Sequence, residues 1–232
     1  MPAKVDADDR RRRLTLAAAE LIADEGIGAL TNQRIAERLA ASTTIVTHYF
    51  RSKRELVLET YQAMATRSRV RVERAIEEQS ADRLAGCLHA LLPLDDESLV
   101  EWKVWLVYQG MSVGDEELTK IWAARSTTAI QRIARLITAD VADGRIKSTT
   151  DPAAEAGRVF ALVQGMSFQS LVDPANWPPH RLRQVVDLEL DHLREGTGGL
   201  DTAPRRSAGA HSLARSSPST TEANVTPHRA LS

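Results

Sequence analysis

The stretch "STTIVTHYFRSKREL", residues 42–56, decides how the rest of the chain is read. Taken alone, the β-branched run from Thr43 to Thr47 suggests a strand. Its flanks suggest helices instead. Thr31 is an N-cap for a segment carrying Ile35, Ala36 and Leu39 at helical spacing. Ser52 and Glu55 have the spacing of a capping box, which opens another helix. On a helical wheel Thr43, Thr44, Thr47 and His48 fall within an arc of about 140°, and Ile45, Val46 and Tyr49 take the other side. The segment divides into a face of small hydrogen-bonding groups and an apolar back. β-Branching costs a helix only tenths of a kcal/mol per residue, which packing of that back overrides. Residues 31–50 therefore read as helix, a turn at Ala40 to Ser42, and a second short helix: a helix-turn-helix.

That arrangement suits a DNA major groove. Threonine can donate to phosphate or base edges and can touch a thymine methyl. Thr31 and Ser42 open helices whose N–H groups can face phosphates, and Lys53 stands at the start of the next helix. Arg10 to Arg13 lie at the very start of the first helix, placed to reach a phosphate or a minor groove. Charge is distributed accordingly. The 232 residues carry net charge −1, but residues 1–74 hold 14 Lys/Arg against 10 Asp/Glu, while residues 75–195 hold 12 against 19. A basic front of +4 and an acidic middle of −7 point to an anionic partner at the N-terminal end.

Other classes find little support. Cys87 is the sole cysteine, so no internal disulfide or cysteine metal cluster can form. No apolar run approaches the ~18 residues that span a bilayer, and "MPAKVDADDRRRR" has no signal-peptide core, so a soluble cytoplasmic chain is expected. The acid clusters at 95–97 and 115–117 sit at helix starts, where they suit the helix dipole better than a metal. Cys87 and His89 are two residues apart and diverge on a helix, so they make a poor nucleophile and base. No phosphate-cradling glycine loop appears. Neither an enzyme nor a cofactor or metal site is expected.

Beyond the opening stretch everything periodic is helical, giving an all-α fold class. Helix 1 is expected from about Asp9 to Glu25, with Gly26 as a left-handed cap, and the helix after Ser52 runs to about Gln79. Segments 82–92, 97–113, 115–143, 152–172 and 179–195 follow, separated by Pro93, Gly114, Gly144, Asp151-Pro152 and Pro178-Pro179. The organisation is a flexible start at 1–9, a DNA-binding head at 10–58, a body at 59–195, and a disordered tail at 196–232 with few large aliphatic residues.

The order "TNQRIAERLAASTTIVTHYFRSK", residues 31–53, resembles the DNA-binding domain of TetR-family transcriptional repressors, over about residues 10–58. "EWKVWL", "DVADGRI", "DPAAEAGRVFALVQGMS" and the closing helix resemble the C-terminal domain of the BetI-like branch. The resemblance implies a three-helix head, a helical ligand-binding body and a homodimer. It makes Thr43 to Tyr49 the recognition helix and Thr31, His48, Tyr49 and Lys53 backbone contacts. Gln33, Arg34, Ser42, Thr43, Thr44 and Thr47 complete the candidate DNA-binding set. The turn departs from the family: Ala40 stands where glycine is usual, and a left-handed alanine costs on the order of 1 kcal/mol.

In the body, seven of the ten aromatic residues fall between 102 and 177. Trp102, Trp105 and Gln109 share one stripe of a helix that is apolar nearly all round and hence central. Trp102, Trp105, Gln109, Trp122 and Phe168 are the candidate effector pocket, although residues of this kind are more often core than pocket. Aromatic walls among acids favour a flat or cationic molecule over an anion. Gly157, Ala161 and Gly165 form a small-residue strip, which with Val186 and Leu190 is the candidate dimer interface of a four-helix contact. The reading is a ligand-responsive repressor that binds a palindromic double-stranded operator as a homodimer, with no membrane partner. A helical protein-interaction adaptor is the alternative, and a helical enzyme comes third.

Overall fold

Six α-helices of the structure, a computed structural model describing residues 2–147 and 151–196, start where a side chain satisfies one of their first N–H groups. Helix α1 spans Pro2–Glu25, and a 3-10 turn, Ile27–Ala29, follows. The head continues with α2 (Asn32–Arg38) and α3 (Thr43–Tyr49), and α4 (Lys53–Glu78) leads into the body. There α5 (Arg83–Ala90), α6 (Asp96–Ser112), α7 (Glu116–Ala142), α8 (Pro152–Val172) and α9 (Pro179–Glu195) complete the described chain. Thr31, Ser52, Asp82, Asp115 and Asp151 each accept a backbone N–H of the first turn. Asp95 and Ser98 form a reciprocal capping box at α6. Such caps contribute about 1 kcal/mol apiece. No strand occurs among the described residues.

Several local expectations need correction. Helix α1 begins at Pro2 rather than Asp9, so the segment expected to be a flexible start is helical. Arg10 to Arg13 therefore lie in the interior of the helix rather than at its start. Gly26 has φ 80 and ψ 175, the mirror-extended region open to glycine alone, not the left-handed helical cap. Ser42 sits at the N-cap position of α3 without a side-chain cap bond. Glu55 closes no box with Ser52; its carboxylate accepts from the Arg51 N–H instead. Ala40 has φ +49, a positive φ found at no other described non-glycine residue, so the turn keeps the family's left-handed geometry without glycine. The tail at 197–232 lies outside the described residues.

Two apolar clusters form the core. One joins α1, α2, α3 and the first half of α4 through Leu14, Leu21, Ile35, Val46, Phe50 and Met64. It also takes in Val104 and Tyr108 of α6 and Leu118 of α7. The other joins the second half of α4 to α5 through α9, with Val72, Leu88, Ile133, Val163 and Leu190. Helices α4 and α6 run through both, and Trp105 packs against both. This explains why α6 is apolar nearly all round. Polar ties cross the same region. Lys103 Nζ donates to the Ala23 carbonyl at 2.8 Å, and Arg54 pairs with Asp115 and Glu117. Arg71 forks onto the fully buried Glu101 at 2.9 and 2.6 Å, and its Nε donates to the Ala90 carbonyl.

Candidate nucleic-acid interface and ligand cavity

The two faces expected of α3 separate in the structure. Thr43, Thr44, Thr47 and His48 are exposed; Val46 is fully buried, and Ile45 and Tyr49 are half-buried against the head core. Burial of the apolar back fixes the helix that β-branching alone would weaken. Thr47 Oγ1 donates to the Thr44 carbonyl at 3.1 Å, which orients its methyl and leaves its lone pairs outward. His48 stands edge-on to Tyr49, ring centroids 5.3 Å apart. Thr31, Gln33, Arg34 and Ser42 are also exposed.

Not every cation of the set is uncommitted. Arg34 pairs with Glu25, and Gln33 bonds Glu37 at 2.9 Å. Lys53 Nζ donates to the Ile27 carbonyl at 2.6 Å, closing the 3-10 turn. These exposed contacts are worth at most about 1 kcal/mol each, so phosphates can compete for them. Arg11 is different. It bonds Glu59 on α4 and lies over the Phe50 ring, 5.4 Å from its centroid, so it braces the head rather than reaching outward.

Between α4, α6, α7 and α8 lies a cavity of about 220 Å³. Trp102, Trp105 and Trp122 line it, as the sequence suggested. Two expected members do not. Phe168 is 43% exposed on the outer face of α8, and Gln109 is spent on Gln164, its Nε2 donating to Oε1 at 3.0 Å. Gln164 itself faces the cavity. Sequence reasoning missed Tyr61, Arg69, Arg125 and Arg132, all of which line the wall. The signal was present on α7, where Trp122, Arg125, Ala129 and Arg132 recur at helical spacing on one face.

The walls are rigidly built. Tyr61 stacks on Tyr108 with centroids 3.8 Å apart and rings 9° from parallel, and Tyr108 donates to the Leu118 carbonyl. Trp102 donates to the Leu91 carbonyl at 2.9 Å and meets Trp105 at 63°. Burial pushes the Tyr61 phenol up, against the opposing pull of Arg125. The expectation of an acid-surrounded pocket is overturned. No Asp or Glu lines the cavity, whereas three arginines do. The acids of the body are engaged elsewhere, Asp95 and Asp115 as caps, Glu97 with Arg67, and Glu155 and Glu189 with Arg158.

The candidate dimer residues divide. Gly157, Ala161 and Gly165 lie along the outer side of α8, and a side chain added at either glycine would meet nothing. Phe168 and Val172, the latter 57% exposed, continue the same stripe. Val186 and Leu190 are instead buried at 1% and 2% exposure within the chain's own core, because the apolar side of α9 packs on α5 and α8. They cannot face a second copy.

Burial pushes the Cys87 thiol up to about 12, and His89 bonds Asp187 at 2.8 Å. No group of metal-ligating side chains occurs among the described residues, and no described helix is long and apolar enough to cross a membrane.

Residues 14–60 match the tetR family of bacterial regulatory proteins, and residues 80–195 match the C-terminal domain of BetI-type transcriptional repressors. The HTH-type transcriptional regulator PksA of Bacillus subtilis is 21% identical over 196 residues, covering 83% of this chain and 94% of its own. The HTH-type transcriptional regulator BetI of Escherichia coli K12 is 29% identical over 162 residues, covering 68% and 80%. A protein of Saccharomonospora viridis solved in complex with choline shares the fold, with a TM-score of 0.71 and 23% identity over 80% of this chain and 97% of its own.

Proposed function

Because the chain belongs to the TetR family of transcriptional regulators, with a C-terminal domain of the BetI type, we propose that two copies grip a palindromic operator and release it when a small molecule enters the body cavity. It is a DNA-binding regulator rather than an adaptor. The dimer forms through the outward stripe of α8, where Gly157, Ala161 and Gly165 let a second helix approach closely. Each copy then lays α3 in a major groove, with half-sites about one helical turn apart. Thr43, Thr44, Thr47 and His48 read bases; Thr31, Ser42, Tyr49 and Lys53 hold phosphates, with Gln33 and Arg34 beside them. The protein works in the cytoplasm.

The observation that carries this reading is α4. Lys53 opens it at the DNA side, and Tyr61, Ala65, Ser68, Arg69 and Val72 of the same helix wall the cavity. A ligand that shifts this wall must move the head with it, and that differential contact is what shifts a two-state population. The choline bound by the Saccharomonospora protein is not carried over. Cation–π attraction is worth about 0.5–2 kcal/mol per ring. A cation about 5 Å from a guanidinium is repelled by about 3 kcal/mol at an effective dielectric of 20. With Arg125 on the wall and Arg69 and Arg132 sharing the single carboxylate of Glu73, the wall carries a net positive charge that opposes a cation.

Selecting bound fragments from genomic DNA tests the proposal and locates the operator. On the selected site, Thr47→Ala or His48→Ala should cost about 1–3 kcal/mol while helicity stays intact. Lys53→Ala should weaken all DNA alike and flatten the salt dependence. Unchanged affinity in all three variants would sink the assignment of the face.

A further inference from the structure

Three arginines line the cavity, but they are not equivalent. Arg69 and Arg132 share the carboxylate of Glu73, at 3.1 and 3.7 Å. Arg125 has no carboxylate partner among the described residues; its guanidinium lies over the Tyr61 ring, 5.2 Å from the centroid. It is half-buried, and a guanidinium taken from water without a counter-charge is costly unless something else supplies one. A second polar group in the same wall is also unmet. Trp105 lines that wall, and its indole Nε1 is buried without a hydrogen-bond partner. Around both, the lining is Trp102, Trp122, Phe160, Val72 and Val163.

We propose that the effector is a compact acid: a flat apolar body between the tryptophans and a carboxylate, or an equally small anion, seated on Arg125. The proposal rests on the cavity being the effector site. Guanidinium suits carboxylate because its planar fork donates two parallel hydrogen bonds. The Arg69–Glu73–Arg132 cluster adds a net positive field from the same side. Size narrows the class. A cavity of about 220 Å³ walled mainly by ring and aliphatic carbon suits a compact apolar body with few polar groups.

The test uses three probes of one shape and different charge: phenylacetate, phenylacetamide and 2-phenylethylamine. Binding to the full-length protein is followed by calorimetry and by the fluorescence of its tryptophans. The acid should bind at least about tenfold tighter than the amide, and the amine should bind weakest. In Arg125→Gln the acid should fall to the level of the amide while the amide keeps its affinity, which also shows that the cavity is intact. Arg125→Lys should retain the order, since it keeps the charge. Ala129→Trp, which fills the cavity, should abolish binding of all three. The inference is overturned if the amine or amide matches the acid, if the acid's advantage survives Arg125→Gln, or if none of the three binds at millimolar concentration. The cavity reading fails separately: if Ala129→Trp leaves every affinity unchanged, the probes bind elsewhere whatever their charge preference.

Discussion

Replacing Arg71 by alanine should be among the most damaging single changes in the body, and the damage should depend on pH. Glu101 is wholly shielded from water, and both its oxygens are held by the Arg71 guanidinium. Removing one member of a buried pair leaves the other charged and unmet, which costs about 3–5 kcal/mol. The Ala90 carbonyl loses its Arg71 donor as well, so α4, α5 and α6 loosen together. For a chain of this size about 2–4 °C of melting temperature accompanies each kcal/mol, so a drop of roughly 6–20 °C is expected at neutral pH. Burial already holds the Glu101 carboxyl above its ordinary range, with Arg71 pulling against that rise. The folded chain therefore binds this proton more readily than the unfolded one. Stability from this group is present at low pH and is lost as pH rises through the folded value. Without Arg71 the folded value climbs further, so the deficit of the variant should narrow steadily from pH 8 to pH 5. Thermal unfolding of both proteins at matched protomer concentration and several pH values measures this. Arg71→Met with Glu101→Leu removes both charges at similar volume and should recover most of the loss. A deficit below about 1 kcal/mol, or one equal at pH 5 and pH 8, would refute the argument, because a buried unpaired carboxylate can be neither cheap nor indifferent to protons.

Two further outcomes follow from backbone and surface geometry. Ala40→Gly relieves a left-handed alanine worth about 1–2 kcal/mol but adds about 0.4–1 kcal/mol of unfolded-state entropy, so the net gain should be about 0.5 kcal/mol; chemical denaturation should show a slightly raised midpoint, and a lowered one would mean the turn is not strained. Gly165→Leu meets nothing within its own chain, so the protomer should keep its fold while the dimer is lost. Light scattering should move from about twice the 25.5 kDa of one chain to a single chain, with circular dichroism unchanged; an intact dimer would place the interface elsewhere.

What was legible in the sequence was local. Thr31, Ser52, Asp95, Asp115 and Asp151 announce helix starts because the capping bond closes within three residues. The two faces of α3 were readable because a single period of 3.6 sorts them. What stayed hidden required knowing which side of a helix meets what. The buried stripe of α9 was visible as apolar, yet nothing local told whether Val186 and Leu190 meet their own chain or another. Phe168 sits on a helix with apolar residues on several sides, so inward and outward were indistinguishable. The net charge of the body misled because averaging over 121 residues ignores that many of its acids cap helices or pair with arginines away from the cavity, while Arg125 and Arg132 stand on the cavity wall.

Helix α4 threads both cores, and this limits how the protein can be re-engineered. A head cut at residue 58 and grafted onto a foreign sensor would leave Tyr61 and Met64 behind, together with the α6 and α7 residues Val104, Tyr108 and Leu118 that seal its underside. The DNA-binding end is thus no interchangeable cassette. A chimera that keeps this recognition surface must carry α4 at least through Met64 and must rebuild, from the recipient, a matching apolar patch where α6 now lies.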